Sequence, residues 1–203
     1  MKPEVAANIC VLKMKGSMHF SAILSALSKR GLAEEATAFF DRILGICKEL
    51  HALHGVKLEI TSSFNGLIGA HAKSQSPGSA EKAEEVLRKM QNLGPDGHFV
   101  EAKPNVRSYT SVMLAWSLVS DPAEKELAVE RCEALLQEML ELAERGDSSV
   151  LPNQFTFGTF LQVLARSNRP GKKERAKHVL EVMRRAGVKP GEFVKSTMAT
   201  MLG

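Results

Sequence analysis

Cysteine is nearly absent. Cys10, Cys47 and Cys132 are the three in 203 residues, far apart and without a Cys-x-x-Cys pair. An odd, dispersed set makes a poor disulfide framework and implies reduced thiols in a reducing compartment. No apolar run approaches the ~18 residues that cross a bilayer, so no membrane partner is expected. The opening MKPEVAANICVLKMKG has a short apolar core but no small-residue cleavage site, and it carries Glu4 and no Arg. It therefore reads as neither a signal peptide nor a transit peptide, and the chain is expected to begin inside a larger protein. No stretch asks to be a strand. Nucleophile elbows, metalloprotease helices and paired carboxylates are missing, and RPGKKER lacks the Walker glycines. Catalytic residues, cofactors and metals are accordingly expected to be none. HALH sets His51 and His54 three apart with Cys47 on the same helix, but no further ligand completes a zinc site, and a solvated face is the plainer reading.

What is present is a repeat. Aromatics make up only 5% of the chain, and four of them open equivalent patterns. Phe20 is followed by Ile23, Leu24 and Leu27; Phe64 by Leu67, Ile68 and His71; Tyr109 by Val112, Met113 and Trp116; Phe157 by Phe160, Leu161 and Leu164. Offsets of three, four and seven put each set on one helical face, and Tyr109, Val112, Met113 and Trp116 are expected to be core. Eight residues after each aromatic stands a small residue, Ser28, Ala72, Ser117 or Ala165, suited to close helix approach. A second stripe follows each time, led by Ala36, Ala83, Cys132 and Ala176. Pro77 and Pro122 sit near second-helix starts, with Ser79 or Asp121 as N-caps, while Pro104, Pro152 and Pro190 close the units. Eight helices in two alternating types imply stacked helix-turn-helix units. Approximate units are 17–59, 60–105, 106–153 and 154–191, with partial units at 1–16 and 192–203, in a single solenoid over 1–203. In the last partial unit Lys195 stands where the aromatic belongs, and Met198 and Leu202 continue the stripe.

Charge is divided between the two helix types. First helices taken as 17–30, 62–74, 105–120 and 153–167 contain no Asp or Glu, whereas the second helices hold most of the carboxylates. One surface of such a stack is neutral to basic and the other acidic. With a net charge of +4 and a pI near 9.0, a polyanion would choose the first. Lys29, Lys73 and Arg166 each fall nine residues after their aromatic, one cation per unit, as a phosphate backbone requires. Cations near a helix C-terminus also complement the macrodipole, and that alternative stays open.

The stretches SSFNGLIGAHAKSQSPGSAEKAEEVLRKM and KPNVRSYTSVMLAWS resemble pentatricopeptide repeats: a Phe or Tyr opening the first helix, an Ala-rich second helix ending in Met, and Lys-Pro-Asn or Lys-Pro-Gly before the next unit. The resemblance covers nearly the whole chain and is strongest at the middle junctions. The aromatics are 44, 45 and 48 residues apart, longer than that family's unit and within the ~40–47 of HEAT and armadillo repeats. The excess lies in connectors and helix ends, where insertions cost little. The resemblance implies an all-α, right-handed helix-turn-helix repeat solenoid, an α-α superhelix that binds single-stranded RNA without chemistry on it. It also implies a mitochondrial or plastid setting and other RNA-processing proteins as further partners.

Carried over residue by residue, the resemblance makes Ser21, Asn65, Thr110 and Gly158 base-reading positions, together with Asn105 and Asn153 after the inter-unit prolines. Its pairing rule joins Asn65 with Asn105, for a pyrimidine, and Thr110 with Asn153, for adenine. Met18, Arg107 and Phe155, two residues before their aromatics, become the side chains stacked on bases. Small polar residues near helix starts also serve as caps, and this reading remains beside the first. The rival function is a protein-binding scaffold of HEAT or tetratricopeptide type.

Overall fold

The computed structural model describes residues 17–93 and 100–202. The partial unit expected at 1–16, with Cys10, lies outside them. The chain divides into two compact units, Met1–Pro104 and Asn105–Gly203.

The first unit holds α1 (Ser17–Lys29), α2 (Ala33–His54), α3 (Thr61–Ser74) and α4 (Ser79–Leu93). Helix α3 lies at its centre, packed on α1, α2 and α4. Its stripe is fully covered: Phe64 and Ile68 have no exposed surface and Leu67 almost none. Phe64 meets Phe40 edge-on at 4.6 Å between centroids, a favoured aromatic geometry. Gly66 and Gly69 bring α3 against α1, since a Cβ on Gly66 would stand 2.7 Å from Leu24 Cβ and one on Gly69 2.8 Å from Ser28 Oγ. The small residue expected at Ser28 thus meets a glycine, which is how two first helices approach closely. Helix α2 ends where Gly55 takes the left-handed conformation and donates its N–H to His51 O, a common helix stop.

One expectation is corrected here. Leu58–Glu59 (β1) and Val100–Glu101 (β2) form a parallel two-stranded ladder. Leu58 and Val100 are buried and Glu59 and Glu101 exposed, so the alternation is present but two residues are too few for a period to register. Ile60 N–H extends the ladder to Glu101 O.

His71 falls on the α3 core stripe, 4% exposed, with Nε2 3.1 Å from Thr37 Oγ1 of α2. Burial lowers its pKa below 6.5, and Lys82 adds to this while Glu34 and Glu85 oppose it. The neutral form is therefore favoured in the folded state. Its contribution to stability is complete above the unfolded pKa of about 6.5 and is lost as pH falls through the lower folded value. His71→Asn should flatten the drop in urea midpoint seen between about pH 7.5 and about pH 5 in the parent. Parallel curves for the two proteins would remove His71 as its cause.

The second unit holds α5 (Val106–Ser117), α6 (Pro122–Glu144), a 3-10 turn at Ser148–Val150, α7 (Gln154–Arg166), α8 (Lys172–Arg185) and α9 (Glu192–Leu202). Here α7 is central, packed on α5, α6, α8 and α9. Tyr109, Val112, Met113 and Trp116 are all core, as their spacing requires. The Tyr109 hydroxyl donates to Glu138 Oε1 of α6 at 2.8 Å, which satisfies a polar tip on a buried ring. Asp121 caps α6, accepting from Ala123 and Glu124 N–H, with Pro122 at the first helical position. Ser79, by contrast, is already inside α4 and sits buried. In α9 the buried residues are Val194, Met198 and Met201. Lys195 faces out, bonded to Glu192 at 2.7 Å, so this stripe is displaced by one residue from the register expected.

Successive second helices are joined by charge. Glu34 and Asp41 of α2 reach Lys82 and Lys89 of α4. In the second unit Glu126 and Glu130 of α6 hold Arg169, just before α8, and Glu133 holds Arg175. Apart from Arg169, which is mostly covered, the partners are well exposed, and such pairs contribute little alone. Their common sense matters more: the earlier helix supplies carboxylates and the later one cations.

Cys47 and Cys132 are both free and buried. Burial pushes the Cys47 thiol up to about 11, so it stays protonated and inert near neutrality.

Candidate nucleic-acid interface

Each expected site residue can be placed within its own unit. In the second unit, α5, α7 and α9 present first-helix surfaces around one open groove of about 550 Å³, lined among others by Arg107, Thr110, Asn153, Phe155 and Phe193. Four of these were marked from the sequence. Phe155 is 63% exposed and Phe193 47%, unusual for side chains of that size unless a partner covers them.

Local chemistry explains the positions. Asn153 caps α7 by accepting from Phe155 and Thr156 N–H at 2.9 and 3.2 Å, while its own N–H donates to Thr156 Oγ1. Asn105 caps α5 in the same way through Arg107 and Ser108. Capping side chains of this kind stabilise a helix by about 1 kcal/mol. The cap uses the side-chain oxygen, and the amide nitrogen of Asn153 makes no hydrogen bond among the described residues. Thr110 Oγ1 lies 3.0 Å from Thr156 Oγ1. Thr110 and Asn153, joined in the pairing rule, are thus linked through Thr156 at one edge of the groove.

Gly158 does something other than read. A Cβ there would stand 2.5 and 2.7 Å from ring carbons of Phe193, so the missing side chain is the seat of that ring. Phe193 was not singled out from sequence, although a signal was available. Arg107, Phe155 and Phe193 each stand three residues after the unit-closing Pro104, Pro152 and Pro190.

In the first unit Met18 and Ser62 are exposed and Ser21 is half-buried, its hydroxyl donating to Met18 O at 2.9 Å. Asn65 is only 8% exposed, and it lies in the first unit while Asn105 lies in the second. Ile60 occupies the cap position of α3 without a side-chain hydrogen bond; Glu59 replaces it, its carboxylate accepting Thr61 N–H at 2.7 Å. Lys29 and Lys73 are exposed at the ends of α1 and α3. Arg166 is different: its guanidinium donates to Ser117 O and Val119 O at the end of α5, where it satisfies terminal carbonyls.

Electrostatically the surface matches its sequence. Helices α1, α3, α5 and α7 carry no carboxylate. Among the described residues no cluster of three metal-binding side chains occurs, and no helix is long and apolar enough to cross a membrane.

The PPR-repeat family model matches residues 18–46, from α1 into α2. The chain therefore carries a pentatricopeptide repeat over its first hairpin. The match lies on the first hairpin rather than on the middle junctions where the sequence resemblance is strongest. Three residues separate α1 from α2, whereas the later hairpins have four or five between their helices. No curated protein matches the chain.

Proposed function

We propose that the chain binds single-stranded RNA on its first-helix surfaces, with bases held in the groove of the second unit. The observation that carries this reading is the exposure of Phe155 and Phe193 in a groove whose lining holds no carboxylate, beside Arg107 and the Thr110–Asn153 pair. Aromatic and guanidinium planes stack on unpaired bases, and Thr and Asn offer donors and acceptors to their edges. The family's pairing rule makes adenine the base at Thr110 and Asn153. Lys29 and Lys73 contact phosphates, and Arg166 serves the fold. The function is occupancy of an RNA segment in an organelle, mitochondrion or plastid, affecting its processing, stability or translation, with no chemistry on the RNA.

Fluorescence anisotropy with short RNAs at two salt concentrations tests this. Affinity should fall with salt at a log–log slope of about −0.7 per phosphate neutralised. Lys29→Ala with Lys73→Ala should reduce the slope by about 1.4 and weaken all sequences alike. Absence of RNA binding at low salt by the folded protein would defeat the proposal and favour a protein partner.

A further inference from the structure

A second groove lies on the other helix type. It runs between α8 and the connector to α9, about 650 Å³, with Leu180, Val188 and Pro190 as its floor and Lys177, Arg184 and Lys189 around it. Arg175 faces α6 through Glu133. At 3.6 residues per turn, Lys177 and Arg184 lie on the opposite edge of α8 from Arg175. This is the edge on which, in either unit, a following second helix would seat.

On that edge the charge is reversed. The residue after Cys132 on α6 is Glu133, paired with the next helix; the residue after Ala176 on α8 is Lys177. Arg184 and Arg185 share the carboxylate of Glu181 at 2.8 to 3.0 Å. Lys177, Arg184, Arg185 and Lys189 therefore outnumber the two acids on this side of α8, Glu174 and Glu181. A helix built like α4 or α8, with cations on its incoming edge, would be repelled here.

We infer that this groove docks an amphipathic helix of a partner protein that carries carboxylates along one edge of its apolar stripe. Aliphatic flooring suits a helix, whose Leu or Met side chains bury against Leu180 and Val188; it provides no ring on which a base could stack. A second copy of the chain is the poorer occupant, because the acidic edges of α2 and α6 are already covered by α4 and α8. The inference is independent of RNA binding on the first helices.

Two labelled helical peptides test it on the full chain, one with a Leu stripe edged by Glu and the other edged by Lys. The Glu peptide should bind at least about tenfold tighter than the Lys peptide. Lys177→Glu with Lys189→Glu, which leaves the Glu181 bridges intact, should reverse that preference while circular dichroism stays unchanged. Phe155→Ala with Phe193→Ala should leave peptide affinity as it was, which separates this site from the RNA surface. Failure of the Glu peptide to bind, or equal binding of both peptides, overturns the inference. It is equally overturned if the charge reversal weakens RNA binding without altering peptide binding, or abolishes a dimer seen by sedimentation.

Discussion

Phe155→Ala combined with Phe193→Ala is expected to weaken single-stranded RNA binding by about a hundredfold, because base–aromatic stacking contributes about 1–3 kcal/mol per base. Both rings stand at the groove and are about half exposed or more, so their removal should leave the helical spectrum unchanged, with a modest drop in urea midpoint from the lost seat of Phe193 on Gly158. Phe155→Trp keeps a stacking plane and should retain affinity, which a merely hydrophobic role would not require. Arg107→Ala should differ in kind, lowering both affinity and salt slope because the guanidinium both stacks and carries charge. Anisotropy titrations at fixed salt decide the matter. An unchanged dissociation constant in the double variant would remove the second-unit groove from RNA binding altogether. Gly158 supplies an internal check: Gly158→Ala should disturb the Phe193 ring in the parent but be tolerated once Phe193 is Ala, since the ring is what its Cβ would meet.

The helices were legible because their signal is long. A stripe such as Tyr109, Val112, Met113 and Trp116 spans two turns and is buried throughout, whereas the same spacing on α1 buries Leu24 and leaves Ile23 exposed, because the period gives the face and the neighbouring helices decide how much of it is covered. The β1–β2 ladder left no comparable trace at two residues a side. Groove-lining positions were legible where a residue type could be read by register, as with Arg107, Thr110, Asn153 and Phe155. They were obscured where one side chain has two uses. Asn105 and Asn153 are caps by geometry, whatever else they touch, and Arg166 shares its offset with Lys29 and Lys73 yet closes the end of α5. Phe193 escaped because Lys195 stands in the aromatic position of its helix, so the stacking slot two residues earlier was not read there, although its offset from Pro190 marks it. The charge reversal on α8 was hidden for another reason: it depends on which edge of a helix faces its neighbour, and that is a tertiary fact.

Two glycine substitutions, chemically identical, are expected to change stability in opposite directions. Gly45 lies on α2, and a Cβ there meets nothing within 4 Å. Gly45→Ala should therefore stabilise by about 0.5–1 kcal/mol, the ordinary gain of Ala over Gly inside a helix. Gly66 on α3 carries the same intrinsic penalty, but its Cβ would stand 2.7 Å from Leu24 Cβ, with the Leu24 carbonyl carbon and Cα at 3.5 and 3.7 Å. A Cβ is fixed by the backbone, so no rotamer change relieves the contact and α1 itself must move. Overpacking of this sort costs about 1–3 kcal/mol, which exceeds the propensity gain, and Gly66→Val, with two further methyls, should cost about 3 kcal/mol. Urea unfolding curves for the three variants measure both signs, provided the m-values match the parent. Should Gly66→Ala prove as stabilising as Gly45→Ala, α1 and α3 are not in close contact in solution. In that case the glycines of GLIG need another explanation, and the first-helix spacing that orders Met18, Ser21 and Ser62 on one surface loses its physical basis.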